Sequence, residues 1–292
     1  VECGELNYFD KAYASISMKH NMRLAPASPE EEEPFFNVTT SDDPIIRQLA
    51  TEGKGTVFCT DALLALLVAS PRSVYSWDIV IQRVGSKLFL DKRDNGAGTL
   101  AEMLTVYETA PDSPDPENKD AFNRPTELSQ ESTMINQRFI QQVQMTDMDS
   151  LRFDVENPEE FDTQYPVAYR YRRFKVGEHL LVARCEIDAV RMTSKKNNLF
   201  LSVRALNEYH YEKNVRDKSQ SKLGVVDWRL KLESQRGAVV ATELKNNSNK
   251  LSRWASQALI AGTDQFILGF VARAHPKDNN NNVTLAPQQY FP

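Results

Sequence analysis

Strand-like runs crowd the second half of this chain, and they limit its fold more than any other feature. VAYRYRRFKV (167–176), RCEIDAV (184–190), NLFLSVRAL (198–206), GAVVATELK (237–245) and FILGFVAR (266–273) are short, apolar and rich in β-branched or aromatic residues. Helical patterns flank them. TDALLALLVASP (60–71) reads as a helix with Thr60 or Asp61 as N-cap and Pro71 just beyond its end. NSNKLSRWASQALIAG (247–262) places Leu251, Trp254, Ala258 and Leu259 on one side, with a start near Asn247 or Ser248 and a stop at Gly262. Between the first helix and the strands, SWDIVIQRVGSKLFLDKRD (76–94) reads as a hairpin turning at Gly85-Ser86. This order predicts a mixed α/β (α+β) domain with central mixed sheets flanked by helices. The 292 residues are 41% hydrophobic, enough for a sizeable core, and read as one domain, 1–292. Two stretches fall outside this pattern. The first sixty residues, broken by APASPEEEEP and SDDPI, read as a wrapping segment with an acidic bend. TAPDSPDPENKDAFNRP (109–125), with four prolines and four acids, reads as an inserted loop.

Charge enters the strand-like runs in a pattern. Alternation in RCEIDAV points Arg184, Glu186 and Asp188 one way and Ala183, Cys185, Ile187 and Ala189 the other. In GAVVATELKNN, Val239, Ala241, Glu243 and Lys245 share a face if the run is a strand. Were the two runs neighbours, three acids and a lysine would converge, the composition of a Mg²⁺-assisted phosphodiester site. The same residues also suit two solvated strand faces with an i,i+2 Glu and Lys. YRYRRF (169–174) sets Tyr169, Tyr171 and Arg173 against Arg170, Arg172 and Phe174. That alternation suits an RNA groove, and equally a strand whose tyrosines pack while its arginines snorkel.

The formal net charge of −5 excludes a protein that coats nucleic acid everywhere, so any RNA contact is focal. No run approaches the ~18 apolar residues of a membrane span, and VECGELNYFDK lacks a secretory pattern. Cys3, Cys59 and Cys185 form no C-x-x-C pair, and the four histidines show no ligand spacing, which points to a reducing compartment without structural zinc. Val1 in place of an initiator methionine predicts a fragment of a larger protein.

EIDAV, ATELKNN and KLSRWASQALIAG followed by FILGFVAR together resemble the decapping exoribonuclease family. There, an acid-x-acid strand, a Glu-x-Lys strand, a W-x-x-Q helix and a G-F-x-R strand assemble the metal and phosphate site. The matching positions are Glu186 and Asp188, Glu243 and Lys245, Trp254 and Gln257, and Gly269, Phe270 and Arg273. Longer stretches, RSVYSWDIVIQRVGSKLFLDKRD, VAYRYRRFKVGEHL, DWRLKLESQRGAVVATELKNN and KLSRWASQALIAG, resemble the cap-binding domain in the d-subunit family of eukaryotic translation initiation factor 3. That resemblance implies a decapping-nuclease-like fold that holds an mRNA 5′ cap without cutting it. It implies capped mRNA, the other subunits of the factor and the small ribosomal subunit as partners, a cytoplasmic location, no membrane and no catalytic residue. One metal-binding glutamate of the nucleases, at the end of a Gly-aromatic-x-aromatic-Glu strand, has no counterpart, since the corresponding segment NQRFI (136–140) ends in Ile140. No cofactor is expected, and Mg²⁺ would bind the vestigial site only adventitiously. The implied cap surface is Asp61, Val74 and Tyr75 at the first helix, with Thr133, Asn136 and Gln137 on a strand STMINQ. Tyr169, Arg170, Arg172, Glu186, Asp188, Glu243, Lys245 and Gln257 would form the RNA-phosphate or vestigial metal site. Asp112, Asp115, Glu117 and Asp120 would belong to an acidic gate over the RNA path.

Overall fold

Two β-sheets meet at Asp188. The computed structural model describes residues 1–25, 38–73, 76–93, 125–159, 161, 166–195, 197–208, 226–275 and 277–290. The strands in chain order are β1 (Glu2–Leu6), β2 (Met22–Arg23), β3 (Val57–Thr60), β4 (Val80–Val84), β5 (Lys87–Asp91), β6 (Leu151–Arg152), β7 (Ala168–Val176), β8 (His179–Ile187), β9 (Ala189–Met192), β10 (Asn198–Asn207), β11 (Gln265–Arg273) and β12 (Asn282–Tyr290). The helices are α1 (Pro44–Thr51), α2 (Asp61–Ala69), α3 (Pro125–Gln142), α4 (Trp228–Lys231), α5 (Arg236–Asn246) and α6 (Ser248–Ala261). Among the described residues one sheet runs β4-β5-β3-β8-β7-β1-β6 and the other β2-β12-β11-β10-β9. β8 ends at Ile187 and β9 begins at Ala189, so the chain crosses between sheets at a single residue.

Each sheet is covered on both faces. In the first, Phe58, Phe89, Tyr171 and Val182 pack under Ile46 and Ala50 of α1. On its other face Cys59, Leu90, Ala183 and Cys185 meet Leu63 of α2 and Ala261 of α6. In the second sheet, Leu201, Val203, Ala205, Ile267 and Val271 face Ile135, Phe139 and Ile140 of α3. Their alternates Leu206, Leu268, Phe270 and Ala272 face Trp228, Val239, Leu251, Trp254 and Ala258. α6 thus serves both sheets, Ala258 in one core and Ala261 in the other. Gly269 explains how α3 comes so close, because a Cβ there would lie 2.5 Å from the Phe139 ring.

α1 starts at Asp43, whose Oδ1 accepts from the backbone N–H of Ile45 (2.9 Å) and Ile46 (3.0 Å), with Pro44 in the first turn. Its Oδ2 accepts from Tyr171 Oη at 2.9 Å and Arg184 Nη1 at 3.1 Å. Arg184 also donates to Val38 O at 2.6 Å and lies over the Phe161 and Tyr169 rings. SDDPI, read from sequence as a break in an acidic wrapping segment, is therefore a capped helix start bolted to β7 and β8, while all of APASPEEEEP but Ala25 lies outside the described residues.

Two further expectations are corrected. STMINQ lies inside helix α3, not on a strand, and Ile135, Phe139 and Ile140 form its buried stripe. GAVVATELK lies in helix α5, where Val239, Glu243 and Asn246 recur at i, i+4 and i+7 on the buried side. Adjacent β-branched valines read as strand locally, and tertiary packing overrides that preference. The helix at 60–71, the hairpin and the helix ending at Gly262 form as expected, with Thr60 capping α2 and Gly262 left-handed (φ 65°) after α6. The exception is Leu259, read with the side of Leu251, Trp254 and Ala258, which is exposed while those three are buried. Cys3, Cys59 and Cys185 are buried free thiols, and burial pushes Cys3 up to about 11 and Cys59 to about 12. No helix among the described residues is long and apolar enough to cross a membrane.

Candidate functional site

The junction of the sheets collects charge. β3 and β8 run parallel with Thr60 beside Arg184, so the start of α2 lies against the end of β8. Asp61, 6% exposed, accepts there from the backbone N–H of Glu186 at 3.2 Å. Two residues on, Asp188 Oδ2 accepts from Val203 N–H at 2.7 Å and from Arg204 Nη1 at 2.7 Å. Gln144 donates to Asp188 O at 2.9 Å, and Asn136 Oδ1 accepts from Ala205 N–H at 2.8 Å. α3, β10 and β8 are thereby tied around one seam. Arg204, which no sequence motif singles out, stands at its centre.

Acids outnumber the guanidinium they share. Burial raises Asp61 to about 6, against the Glu186 N–H and the Arg204 charge. Burial raises Glu186 to about 7, reinforced by the Asp188 charge and opposed by Arg204. Asp188 is also raised by burial, while Arg204 and the Val203 N–H hold it down. Burial pulls Arg204 down, and Asp188, Glu186 and Asp61 together push it up further. Asp188 Oδ1 is buried with no hydrogen-bond partner. The seam is thus acceptor-rich and holds protonatable carboxyls near neutral pH.

The other predicted residues divide. Thr133 is buried and donates to Ser129 O at 2.8 Å; Gln137 is half-buried with an unpartnered Oε1. Tyr169 pairs across the strands with Glu186, and burial followed by the Glu186 charge raises its hydroxyl. Arg170 and Arg172 point to the opposite face and are spent on structure. Arg170 donates to Ala261 O and Gly262 O, each at 3.2 Å, and to Glu2 at 2.6 Å. Arg172 donates to Leu259 O (3.1 Å) and Ile260 O (2.6 Å). Both arginines cap the C-terminus of α6, where orphan carbonyls and the helix dipole favour cations. Val74, Tyr75 and the gate residues Asp112, Asp115, Glu117 and Asp120 lie outside the described residues.

The second charged floor forms elsewhere. Glu243 accepts from Trp228 Nε1 at 3.0 Å and Asn247 Nδ2 at 2.8 Å, and burial raises it. Lys250, not Lys245, is the cation acting on it; Lys245 is exposed, and Gln257 is half-buried on α6. The charges acting most strongly on Glu186 are Asp188, Arg204, Asp61 and Arg184, so the two floors do not merge. These residues do not fit a divalent ion. Asp188 is engaged by a guanidinium, Glu243 by an indole, and no group of three His, Cys, Asp or Glu among the described residues has metal-binding geometry. Nor does the missing-ligand comparison at Ile140 hold, since NQRFI is helical and Ile140 sits 5% exposed in the core.

A family model described as eukaryotic translation initiation factor 3 subunit 7 (eIF-3) matches residues 1–292. The chain is 48% identical over 293 residues to the D subunit of eukaryotic translation initiation factor 3 from Arabidopsis thaliana, covering 99% of this chain and 46% of that protein. It is 45% identical over 296 residues to the D subunit from Homo sapiens, covering 99% of this chain and 51% of that one. The chain spans about half the length of these curated relatives. Among solved structures, Scheffersomyces stipitis Rai1 in complex with (3′-NADP)+ and calcium ion aligns with TM-score 0.47 and 12% identity, over 99% of this chain and 64% of that one. Candida albicans Rai1 in complex with pU5-Mn²⁺ gives TM-score 0.47 and 13% identity, over 98% and 66%.

Proposed function

Since the chain belongs to the family of eukaryotic translation initiation factor 3 subunit 7, whose curated relatives are called the D subunit, we propose that it acts in translation initiation by holding the 5′ cap of an mRNA at the seam between its sheets. The supporting observation is the convergence of Asp61, Glu186 and Asp188 around Arg204, with Asn136 of α3 bonded to the neighbouring Ala205. A 7-methylguanosine base is flat and cationic, and its Watson–Crick edge offers donors. A desolvated carboxylate is the matching acceptor, and charge-assisted hydrogen bonds of this kind are about twice as strong as neutral ones. Glu186, the half-buried acid of the three, takes the edge-reading role. Asn136 orients β10 through Ala205 and is a positioning residue. Arg204 supplies charge compensation from within the chain, so cap binding proceeds without a metal and without cleavage. In this proposal the protein works in the cytoplasm beside the other subunits of the factor and the small ribosomal subunit.

The test is ultraviolet crosslinking of cap-labelled RNA to the complete factor in Mg²⁺, with and without excess cap analogue, while RNA length is followed. Analogue-sensitive crosslinking to this chain with RNA of unchanged length is the expected result, lost in Glu186→Ala. Shortened or decapped RNA, abolished by Glu186→Gln with Asp188→Asn, would replace cap holding with cap cleavage.

A further inference from the structure

Strand β4 is an edge of the seven-stranded sheet among the described residues, and Ile81 through Val84 are exposed. The two-residue turn Gly85-Ser86 makes Val84 and Lys87 the closing hydrogen-bonded pair of the hairpin. Alternation gives the same ladder pairing to Gln82 with Phe89 and to Val80 with Asp91. The N–H and C=O of Ile81 and Arg83 consequently face away from β5. A row of outward main-chain groups is a template for another strand, and natural edges are usually blunted by proline, bulges or several charges. β4 has no proline, its register with β5 is unbroken, and Arg83 is its only charge. Apolar side chains surround this edge: Trp77 is 42% exposed, Ile81 58% and Val84 63%. Ile81 lies opposite Leu90, so it extends the apolar face that α2 covers further in.

We propose that β4 is a strand-addition site for an extended segment of another polypeptide, one carrying acidic residues between apolar ones. Charge chooses that occupant. From Trp77 to Leu90 the hairpin holds Arg83 and Lys87, and its one acid, Asp78, is paired with Arg93, so two copies of the edge repel while an acidic strand is attracted. Main-chain hydrogen bonds supply the affinity, and apolar contact with the exposed Trp77, Ile81 and Val84 side chains supplies the choice of side chain.

Amide hydrogen exchange on the complete parent subunit, free and within the assembled initiation factor, tests this. Ile81 and Arg83 amides are expected to exchange rapidly in the free subunit and at least tenfold more slowly in the assembly, while the Gln82 amide, already paired with β5, changes little. Arg83→Pro removes one outward N–H and keeps the ladder to β5; it is expected to abolish the protection at Ile81. Arg83→Glu keeps the backbone and is expected to weaken the protection through charge alone. Equal exchange in both states overturns the proposal. Protection produced by capped RNA without other subunits overturns it in favour of a nucleic-acid contact, and protection that tracks a concentration-dependent dimer of the free subunit overturns it in favour of a second copy.

Discussion

Two buried arginine–aspartate centres lie on the two sides of the sheet junction, and they are built to opposite ends. At Arg184 and Asp43 every oxygen of the carboxylate is used: two backbone N–H groups, a tyrosine hydroxyl and the guanidinium converge on it. At Arg204 and Asp188 one carboxylate oxygen stays unpartnered, and two more acids, Asp61 and Glu186, compete for the same cation. A closed network fixes structure; one with surplus acceptors leaves capacity for a ligand or a proton. The first centre anchors α1 to the sheet, and the second leaves Asp188 Oδ1 without a partner.

Breaking the closed centre has the largest expected effect. Asp43→Ala removes a helix cap and leaves Arg184 and Tyr171 without their buried partner, a loss of about 3–5 kcal/mol by urea unfolding at pH 7.5. A loss under ~1 kcal/mol would make the two centres alike. Next comes Arg204→Met, which strands Asp188 and Glu186 without their cation. It is expected to cost about 3 kcal/mol at pH 7.5 and much less at pH 5, where the acids protonate. A pH-independent cost would mean that Arg204 acts through packing alone. Smaller still, Glu186→Gln is expected to raise the melting temperature at pH 7.5 and leave it unchanged near pH 4.5. The sign follows from the folded value of about 7 against an unfolded 4.5: the folded state binds the extra proton between them, so Glu186 costs stability above pH 7 and the cost disappears as pH falls through that window. Asp61, folded at about 6 against 3.8, adds in the same direction at slightly lower pH. A wild-type minus variant difference that is flat with pH would show that Glu186 is solvated. The smallest effect belongs to Lys245→Ala, within about 0.5 kcal/mol, as befits an exposed helical position outside either centre.

The two centres also differ in how far sequence exposes them. The Asp43 cap has a local signal, an acid immediately before proline at a helix start, but SDDPI reads equally well as an acidic bend. Arg204 has none. It lies in an ordinary strand, and its partner Asp188 is 16 residues away, so only sheet pairing brings them together. Glu186 and Asp188 are legible as neighbours because they lie two residues apart, even though Asp188 sits past the end of β8 where the chain changes sheet. Glu243 and Lys245 are not, because an i,i+2 pair says nothing about whether the run is a strand, and in α5 the two residues fall on different sides of a helix. Alternation alone puts Arg170 and Arg172 on the face opposite the tyrosines, but their target, the carbonyl end of α6, lies 87 to 92 residues further along the chain.

The place of β1 between β7 and β6 has a consequence for synthesis. The Cys3 thiol donates a hydrogen bond to the backbone carbonyl of Tyr169, 166 residues downstream. At 5–20 residues per second the ribosome takes on the order of ten to thirty seconds to deliver that partner. For that interval β1 leaves the tunnel with Cys3 and Leu6, both buried in the finished fold, unpaired on a nascent chain. The seven-stranded sheet therefore closes only once β7 and β8 have been made, and a factor that shields nascent apolar segments has β1 as a client until then.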